Sequence, residues 1–304
     1  MQRIKCALCG SINYTFMLQA KDYRLHTTEQ VFDLVRCLRC GTVYLNPRPN
    51  EGELAKFYPE AFYSEPTVMS KFLSGFLNRS KFREVDQFKK TGRILDVGCG
   101  DGGLLFAFKV RGWETYGVDT SKKACRLAMK TLGDNVCNCE LKACSFPDAY
   151  FDVVFLNHVI EHMSCPNEEL AEISRILKDK GVVFVYTPNI DSYQFEVTGD
   201  KWVHLDVPRH LIFYSPNNVS RLLKNAGLEV VKIKFPLFDF AFDLYFSLKL
   251  KLISKHSLLD SIISPILRVI SLTVKLLPTW RGSMVVVAVK KILTNSYPEG
   301  VCYS

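Results

Sequence analysis

The sequence lacks any apolar run long enough to cross a membrane. A spanning helix needs about 20 apolar residues with few charges, and charged residues interrupt even the most apolar region, residues 236–281. The first ten residues, MQRIKCALCG, lack the apolar segment of a secretory signal peptide. We therefore expect neither an exported protein nor an integral membrane protein, and we predict a cytoplasmic location.

A disulfide framework is also missing. Eleven cysteines are scattered along 304 residues, and a chain of this length buries a core without cross-links. We expect reduced thiols in a reducing compartment. The sequence shows no internal repeat, and its 48% hydrophobic and 23% charged residues are typical of a globular protein. Composition therefore excludes a repeat array, a disordered chain and a disulfide scaffold.

Acidic residues are scarce in the C-terminal part of the chain. Residues 221–291 contain twelve Lys or Arg and only four Asp or Glu, an excess that equals the net charge of +8 for the whole chain. The rest of the chain is close to neutral. We expect the C-terminal part to face any anionic partner, whether phosphates or lipid headgroups.

Four cysteines near the N-terminus form two C-x-x-C-G motifs. Cys6-Ala-Leu-Cys9-Gly and Cys37-Leu-Arg-Cys40-Gly each present two thiols on a tight turn. Four thiolates complete a tetrahedral zinc site that leaves no open position for catalysis. The sequence therefore predicts structural Zn²⁺ and a zinc-ribbon module over residues 1–50.

Beyond Gly92 the sequence alternates short apolar runs with helix-length segments. The runs are RILDV, ETYGVD, NVCNCEL, FDVVFLN and GVVFVYTPN, followed later by LEVVKIKF and SMVVVAVKK. This alternation predicts an α/β fold with a buried, largely parallel sheet and helices on both faces. We predict a helical linker over 51–91, the main domain over 92–291 and a tail over 292–304.

The residues between the last two predicted strands, 236–281, read as an apolar and basic helical insert. Polar residues recur every three or four positions and predict one narrow polar stripe on otherwise apolar helices. Ser264-Pro265 would begin a second helix. Two interpretations stay open. The insert is either a helical hairpin that packs on the core or in a dimer, or an interfacial patch, with Trp280-Arg281, that holds the protein at the inner face of a membrane.

The string His158-Val-Ile-Glu161-His162 matches the H-x-x-E-H pattern of inverted zinc peptidases. In that pattern both histidines lie on one helix. Here FDVVFLN predicts a buried strand that ends at Asn157, so His158 would lie at the turn after the strand and His162 one turn into the following helix. We interpret the match as a coincidence, although the carboxyl end of a central strand is where ligands collect in open α/β sheets.

A glycine-rich turn follows the first predicted strand of the main domain. RILDVGCGDGG satisfies the dinucleotide pattern G-x-G-x-x-G at Gly98, Gly100 and Gly103, which alone is a weak signal. Asp96 lies at the end of the strand, two residues before the first glycine. A carboxylate in that position suits a cationic amino group better than a pyrophosphate.

These motifs together resemble the class I S-adenosylmethionine-dependent methyltransferases. LDVGCGDGG looks like the first motif of that family, TYGVDTS like the end of its second strand, and FDVVFLNHVIEHM like its fourth strand. The resemblance implies a Rossmann-like seven-stranded sheet and S-adenosylmethionine as cofactor. It assigns the ribose hydroxyls to Asp119 and the adenine amino group to Glu140. The cofactor-binding set that it implies is Asp96, Gly98, Cys99, Gly100, Gly102, Asp119, Glu140, Asn157 and His158.

The segment DKWVHLDVPRHLIFYS resembles a bacterial subgroup of these enzymes, and the N-terminal cysteines resemble the zinc-knuckle module fused to many of its members. Such proteins are frequent in sugar and cell-surface polysaccharide biosynthesis. The resemblance therefore implies methyl transfer to a small-molecule acceptor, which we expect to be a sugar, a nucleotide-sugar or a lipid-linked glycan.

Removing a proton from such an acceptor requires a base, and a histidine that titrates near neutral pH suits this work. We favour His210 as that base. The planar fork of Arg209 would hold a phosphate or carboxylate, and Trp202 would stack on a sugar face. The predicted catalytic residues are Glu161, His162 and His210, and the predicted substrate contacts are Trp202, Arg209 and Tyr214.

Two other functions stay open. An RNA methyltransferase would also combine a zinc module with this core, but the basic excess lies in the insert, so we do not expect a nucleic-acid partner. A non-catalytic binding protein is a further alternative, and the intact Asp96 and Asp119 argue against it. The sequence indicates neither the methylated atom type nor an oligomeric state.

Overall fold

The computed structural model describes residues 1–59, 78–237, 242–252 and 260–291. The predicted tail 292–304 and residues 60–77 of the predicted linker lie outside these residues. The strands are β1 (Tyr14–Lys21), β2 (Val31–Cys37), β3 (Val43–Leu45), β4 (Arg93–Val97), β5 (Glu114–Val118), β6 (Val136–Cys137), β7 (Phe151–Asn157), β8 (Leu177–Pro188), β9 (Ile212–Phe213), β10 (Leu228–Lys234) and β11 (Ser283–Lys290). The helices are α1 (Glu51–Leu54), α2 (Arg79–Val85), α3 (Gly103–Lys109), α4 (Lys122–Leu132), α5 (Pro166–Ile176), α6 (Tyr193–Thr198), α7 (Pro216–Asn225), α8 (Asp243–Leu252) and α9 (Asp260–Val274).

The main sheet has seven strands in the order β10-β11-β8-β7-β4-β5-β6. Strands β4 to β8 pair in parallel, whereas β11 is antiparallel to both β8 and β10. Both faces of β7 are buried. Val154 and Leu156 join one apolar cluster, and Val153 and Phe155 join a second cluster on the other face. The predicted seven-stranded α/β sheet, with its last two strands at 228–234 and 283–290, is confirmed.

A smaller sheet surrounds the N-terminal cysteines, in the order β1-β2-β3-β9. Its fourth strand comes from far downstream, because Val43 pairs with Phe213 and Tyr44 pairs with Ile212. The segment that follows β8 therefore completes the sheet of the N-terminal module. The two parts of the chain share this sheet and are not joined by a linker alone.

The insert packs on the protein through its polar stripe. Helices α8 and α9 contact each other, and α8 also contacts α6. Asp243, Ser247, Ser271 and Lys275 are buried. The expected start of a new helix at Ser264-Pro265 is wrong, because α9 continues through Pro265, whose ring removes only one backbone hydrogen bond. Within the described residues, no helix combines the length and the apolar character needed to span a membrane.

Candidate active site

The glycine turn after β4 is shaped by backbone conformations that favour glycine. Gly98 has φ +72°, and a Cβ there would lie 2.4 Å from Cγ2 of Val159. Gly100 has φ +56°, and a Cβ there would meet no atom within 4 Å. The turn thus approaches its neighbour closely at Gly98 and leaves open space beside Gly100, as a loop that receives a ligand requires.

Asp96, at the end region of β4, is buried, and its Oδ1 atom has no hydrogen-bond partner. Burial raises the pKa of this carboxyl to about 8, an effect that nearby Lys81 opposes and nearby Asp119 reinforces. A buried carboxyl oxygen without a donor is costly to maintain. An ammonium group placed against Oδ1 would supply both the missing donor and the missing positive charge, so the site fits the amino group of S-adenosylmethionine.

Asp119 follows β5 and holds the glycine turn. Its Oδ2 accepts a hydrogen bond from the Gly100 amide at 2.9 Å, and its Oδ1 accepts one from the Ser121 amide at 2.8 Å. Each carboxylate oxygen has a further acceptor position. The carboxylate is therefore fixed in orientation and still able to receive two ribose hydroxyls.

Glu140 lies just beyond β6, with an exposed side chain. It precedes a short 3₁₀ turn, Leu141–Cys144. Cys139 and Cys144 on either side of it are joined in a disulfide. The expectation that all thiols are reduced is wrong for this pair, since the turn brings the two sulfurs together. Glu140 as an adenine contact stays a prediction.

Lys81 on α2 enters the same crevice, although no sequence motif marks it. Its Nζ donates to Oδ1 of Asn157 at 2.7 Å and lies 4.8 Å from the ring centroid of Tyr186. The Tyr186 hydroxyl in turn donates to Glu84 on the same helix at 2.8 Å. A lysine on a helix outside the main domain carries no motif, so only the fold places it beside Asn157 and Asp96.

A histidine–carboxylate cluster lies at the carboxyl end of β7. Nδ1 of His158 is 3.3 Å from Oε1 of Glu161, and Thr187 donates to Oε2 of Glu161 at 3.0 Å. Burial raises the pKa of Glu161, but the hydrogen bond with His158 and the fields of His210 and His162 outweigh it and lower the pKa to about 2. Glu161 is thus a buried carboxylate, and it contacts the half-buried ring of His158.

The H-x-x-E-H string does not form a peptidase site. Ile160–His162 is a 3₁₀ turn, and the next helix, α5, begins only at Pro166. The expectation that His162 lies one turn into a helix is wrong. His158 has φ +56°, which is uncommon for a residue with a side chain. The two histidines therefore do not share a helix face, which supports the interpretation of a coincidence.

His210 is enclosed. Its Nδ1–H donates to the carbonyl oxygen of His204 at 2.8 Å, and its Nε2 lies 4.0 Å from Glu161. Burial, followed by the field of His162, lowers the pKa of His210 to about 3. A neutral, buried imidazole tied to the backbone does not reach an acceptor. The geometry opposes the predicted role of His210 as base and indicates a residue that supports Glu161.

The three predicted substrate contacts are also interior residues. Arg209 is buried and donates from Nη2 to Asp22 and to Asp206, each at 2.6 Å. Its fork is occupied by protein carboxylates, so it has no free face for a substrate phosphate. Trp202 is buried as well, and the buried hydroxyl of Tyr214 donates to the Ile160 carbonyl at 3.3 Å. The structure gives all three a role in packing, against the prediction.

The four N-terminal cysteines meet as predicted. The Sγ atoms of Cys6 and Cys40 are 3.5 Å apart, as are those of Cys9 and Cys37, and the ligand atoms of all four lie within 4.8 Å of one another. A tetrahedral Zn²⁺ with bonds of about 2.3 Å places its sulfurs about 3.8 Å apart. The cluster therefore fits a four-thiolate structural zinc.

Comparison with known proteins identifies the family. A family model described as "Methyltransferase domain" matches residues 69–233, more than half of the chain. The chain belongs to this family of S-adenosylmethionine-dependent methyltransferases. A solved S-adenosylmethionine-dependent methyltransferase from Archaeoglobus fulgidus shares the fold, with a TM-score of 0.50 and 24% identity over 73% of this chain and 95% of that chain.

Curated relatives include ubiquinone biosynthesis O-methyltransferases. The protein from Azoarcus sp. (strain BH72) is 33% identical over 154 residues, 46% of this chain and 66% of the relative. The protein from Pelagibacter ubique (strain HTCC1062) is 30% identical over 165 residues, 50% of this chain and 68% of the relative. The match thus spans just under two thirds of the Azoarcus protein's length. These relatives do not show the expected similarity to sugar methyltransferases.

Proposed function

We propose that this protein transfers a methyl group from S-adenosylmethionine to a hydroxyl oxygen of a small-molecule acceptor. The observation that carries the cofactor assignment is the buried, unpartnered Oδ1 of Asp96. It lies beside a turn whose backbone leaves open space at Gly100 and whose orientation Asp119 fixes. In this proposal Asp96 receives the cofactor's amino group, Asp119 its ribose hydroxyls and Glu140 its adenine amino group.

The proposed base is His158, with Glu161 as the residue that orients it. When bound, the cofactor supplies an electrophilic methyl group on a sulfonium, and the protein has to remove the proton of the attacking hydroxyl. His158 follows Asn157 at the carboxyl end of β7 and is half-buried, whereas Glu161 and His210 are buried. The Glu161 carboxylate beside Nδ1 would stabilise the imidazolium that forms. The backbone of His158 has a positive φ, and such sparsely populated conformations cluster at functional sites, which also supports this role.

Two observations favour different classes of acceptor. The subgroup resemblance favours a hydroxyl of a sugar, nucleotide-sugar or lipid-linked glycan. The names of the curated relatives favour a phenolic hydroxyl of a quinone precursor instead. Both require removal of a hydroxyl proton, and this shared step is the one that His158 would perform. RNA methylation stays the weaker alternative, because nothing in the described cluster is specific to a polynucleotide.

The test combines an acceptor screen with variants of the histidine. Radiolabelled methyl transfer is measured over nucleotide-sugars, prenylated catechols and RNA. With the acceptor that reacts, His158→Asn should lower kcat by about 10²- to 10⁴-fold, the usual contribution of a general base. Binding of S-adenosylmethionine, measured by calorimetry, should change little. His26→Asn, an exposed position with a similar positive φ, is the matched control.

Three outcomes would count against the proposal. Wild-type turnover in His158→Asn would remove the base assignment but leave the methyltransferase. Lack of calorimetric binding of S-adenosylmethionine to the wild-type protein would instead favour a non-catalytic binding protein. Transfer to RNA alone would replace the small-molecule acceptor by the RNA alternative.

A further inference from the structure

Helices α8 and α9 bury polar side chains and expose apolar ones, which is the reverse of an ordinary surface helix. A helix on a protein surface normally buries its apolar stripe and exposes its polar face. Here Asp243 accepts from Lys275 at 2.7 Å through Oδ1 and lies 3.1 Å from Nε2 of His204 through Oδ2. Ser247 donates to the Asp243 carbonyl and accepts from the Val203 amide. The polar stripe is thus the face that attaches the insert to the protein.

Leu244, Tyr245 and Leu267 are buried, but most other apolar side chains of the insert face outward. Nine large apolar residues between Phe242 and Leu277 are from 41% to 65% exposed. The neighbouring Tyr193 on α6 is 47% exposed, and its ring lies 5.8 Å from that of Trp280. We name this surface the outer face; its members are Phe242, Phe246, Leu252, Ile266, Val269, Ile270, Leu272, Leu276 and Leu277, with Tyr193 and Trp280 at its edge. So large an apolar surface marks an interaction site.

The exposed charges on the insert itself have one sign, although the neighbouring α6 carries the exposed acid Glu196. In the described ranges 242–252 and 263–281, Asp243 is the sole acidic residue, and it is buried. The cationic side chains that reach the surface there are Lys249, Lys251, Arg268 and Arg281. Arg268 lies over the ring of Tyr245 at 5.0 Å. The basic rim complements a partner with an anionic surface, and the apolar face complements a partner with an apolar interior.

We propose that the outer face docks on an anionic lipid bilayer, so that the enzyme is a peripheral membrane protein. The apolar side chains would enter the headgroup–acyl boundary, and Trp280 and Tyr193 would lie at the interface that such rings prefer. The basic rim would contact lipid phosphates. A second copy of the chain suits the surface less well. A twofold contact would bring the same basic rim of both copies together without an acidic partner in the described ranges.

The test measures binding of the full-length protein to vesicles by sedimentation. Wild type should bind phosphatidylcholine vesicles that contain phosphatidylglycerol and bind pure phosphatidylcholine more weakly, with binding reduced by added salt. The double variant Phe246→Glu, Val269→Glu should no longer sediment with vesicles. Arg268→Gln should lower the partition coefficient on anionic vesicles about fivefold, the usual effect of one surface cation.

The matched control is Val110→Glu, Val231→Glu, which places the same charges at two exposed apolar positions outside the insert. It should bind vesicles like wild type. Equal binding by both double variants would overturn the proposal. A second result would also overturn the proposal: wild type fails to bind vesicles but forms a dimer in sedimentation-velocity experiments, and the Phe246 and Val269 changes dissociate that dimer. Asp119→Ala should bind vesicles normally, which separates this proposal from that of methyl transfer.

Discussion

At the scale of the residue, Asp96 is a buried carboxyl whose environment differs strongly from water. It is buried beside Asp119 and Asp101, and burial is the main cause of a pKa raised to about 8. Such a carboxyl is mostly protonated in the free protein at neutral pH. A cationic ligand would remove the proton and restore the usual charge, so this residue couples cofactor binding to pH.

We predict that Asp96→Asn changes how stability depends on pH. Because the folded-state pKa lies above the ordinary value of 3.8, the contribution of Asp96 to stability is fully present below pH 3.8 and is lost as pH rises towards 8. The wild-type unfolding free energy, relative to that of the variant, should fall by up to about 1.4 kcal/mol per pH unit in this window. Urea unfolding at several pH values measures this difference in unfolding free energy. The same pH dependence of unfolding free energy in both proteins would contradict the prediction.

We predict that Asp119→Ala weakens S-adenosylmethionine binding by roughly 10²- to 10⁴-fold. The change removes the acceptor proposed for two ribose hydroxyls, and it frees the Gly100 amide that shapes the turn; each hydrogen bond to a charged group contributes about 1.5–3 kcal/mol. Calorimetry gives the dissociation constant. Asp134→Ala, an exposed acid beyond α4, is the control and should bind like wild type. An unchanged constant in Asp119→Ala would defeat the cofactor assignment.

The sequence predicted Asp96, Asp119 and the glycine turn, because strand ends and glycines carry local signals. The roles predicted for His210, Arg209, Trp202 and Tyr214 stay predictions, and the burial of these residues opposes them. These residues follow the fifth parallel strand. Arg209 is buried against Asp22 of the N-terminal module, and Tyr214 follows β9, which pairs with β3; both are long-range contacts. Lys81 was missed for the same reason.

At the scale of the element, the second C-x-x-C-G turn connects two strands of the N-terminal sheet. Cys37 ends β2, and Cys40 and Thr42 lead into β3. The Sγ of Cys40 is 3.1 Å from the Thr42 hydroxyl, and the Cys37 amide donates to the Thr42 carbonyl at 2.9 Å. A metal at the cysteines would therefore fix the β2–β3 connection and, through β3, the position of β9.

We predict one Zn²⁺ per chain and its loss in Cys37→Ser. Structural zinc contributes folding free energy directly, so the variant should melt at a lower temperature. Metal analysis and thermal unfolding followed by circular dichroism measure both effects. Cys165→Ser, an exposed cysteine outside the cluster, should retain the metal and the melting temperature. A metal-free wild type prepared without chelator would contradict the zinc assignment.

Sequence periodicity indicated that the insert is helical, but it misplaced the start of a helix at Ser264-Pro265 and did not indicate the orientation of the helices. A narrow polar stripe on an apolar helix was compatible with packing on protein or with a membrane. The buried pair Asp243–Lys275 joins residues on two helices, and His204 comes from a third segment. No local pattern predicts that pairing, and it is the pairing that turns the polar stripe inward.

At the scale of the whole molecule, one buried ionic network connects the N-terminal module to the main domain. Arg209 donates to Asp22 and Asp206, and Arg24 donates to Asp206 at 3.0 Å. Burial raises the pKa of Asp22, but hydrogen bonds from Arg209 and Thr27 outweigh it and hold the pKa well below the ordinary range. The stabilisation is therefore present above pH 3.8 and is lost as the pH falls towards the lowered value.

We predict that Arg209→Met lowers the unfolding free energy by about 3–5 kcal/mol, because it leaves two buried carboxylates without their cation. Arg24→Met removes a partner of the same Asp206, but its side chain is 42% exposed, so its effect should stay within about 1 kcal/mol. Equilibrium urea unfolding compares the two. Equal effects of the two changes would show that burial of the Arg209 pair is not what stabilises the junction.

During synthesis of the chain, β3 can pair with β9 only after the long segment between them has been made. When Val43–Leu45 leaves the ribosome, Ile212–Phe213 has not yet been made. At about 5–20 residues per second, roughly 10–30 seconds pass before the partner strand exists. During that interval the nascent N-terminal module has a bare β-edge, which is a template for wrong pairing. Early capture of zinc would hold the unfinished module in register until the rest of the protein arrives to close it.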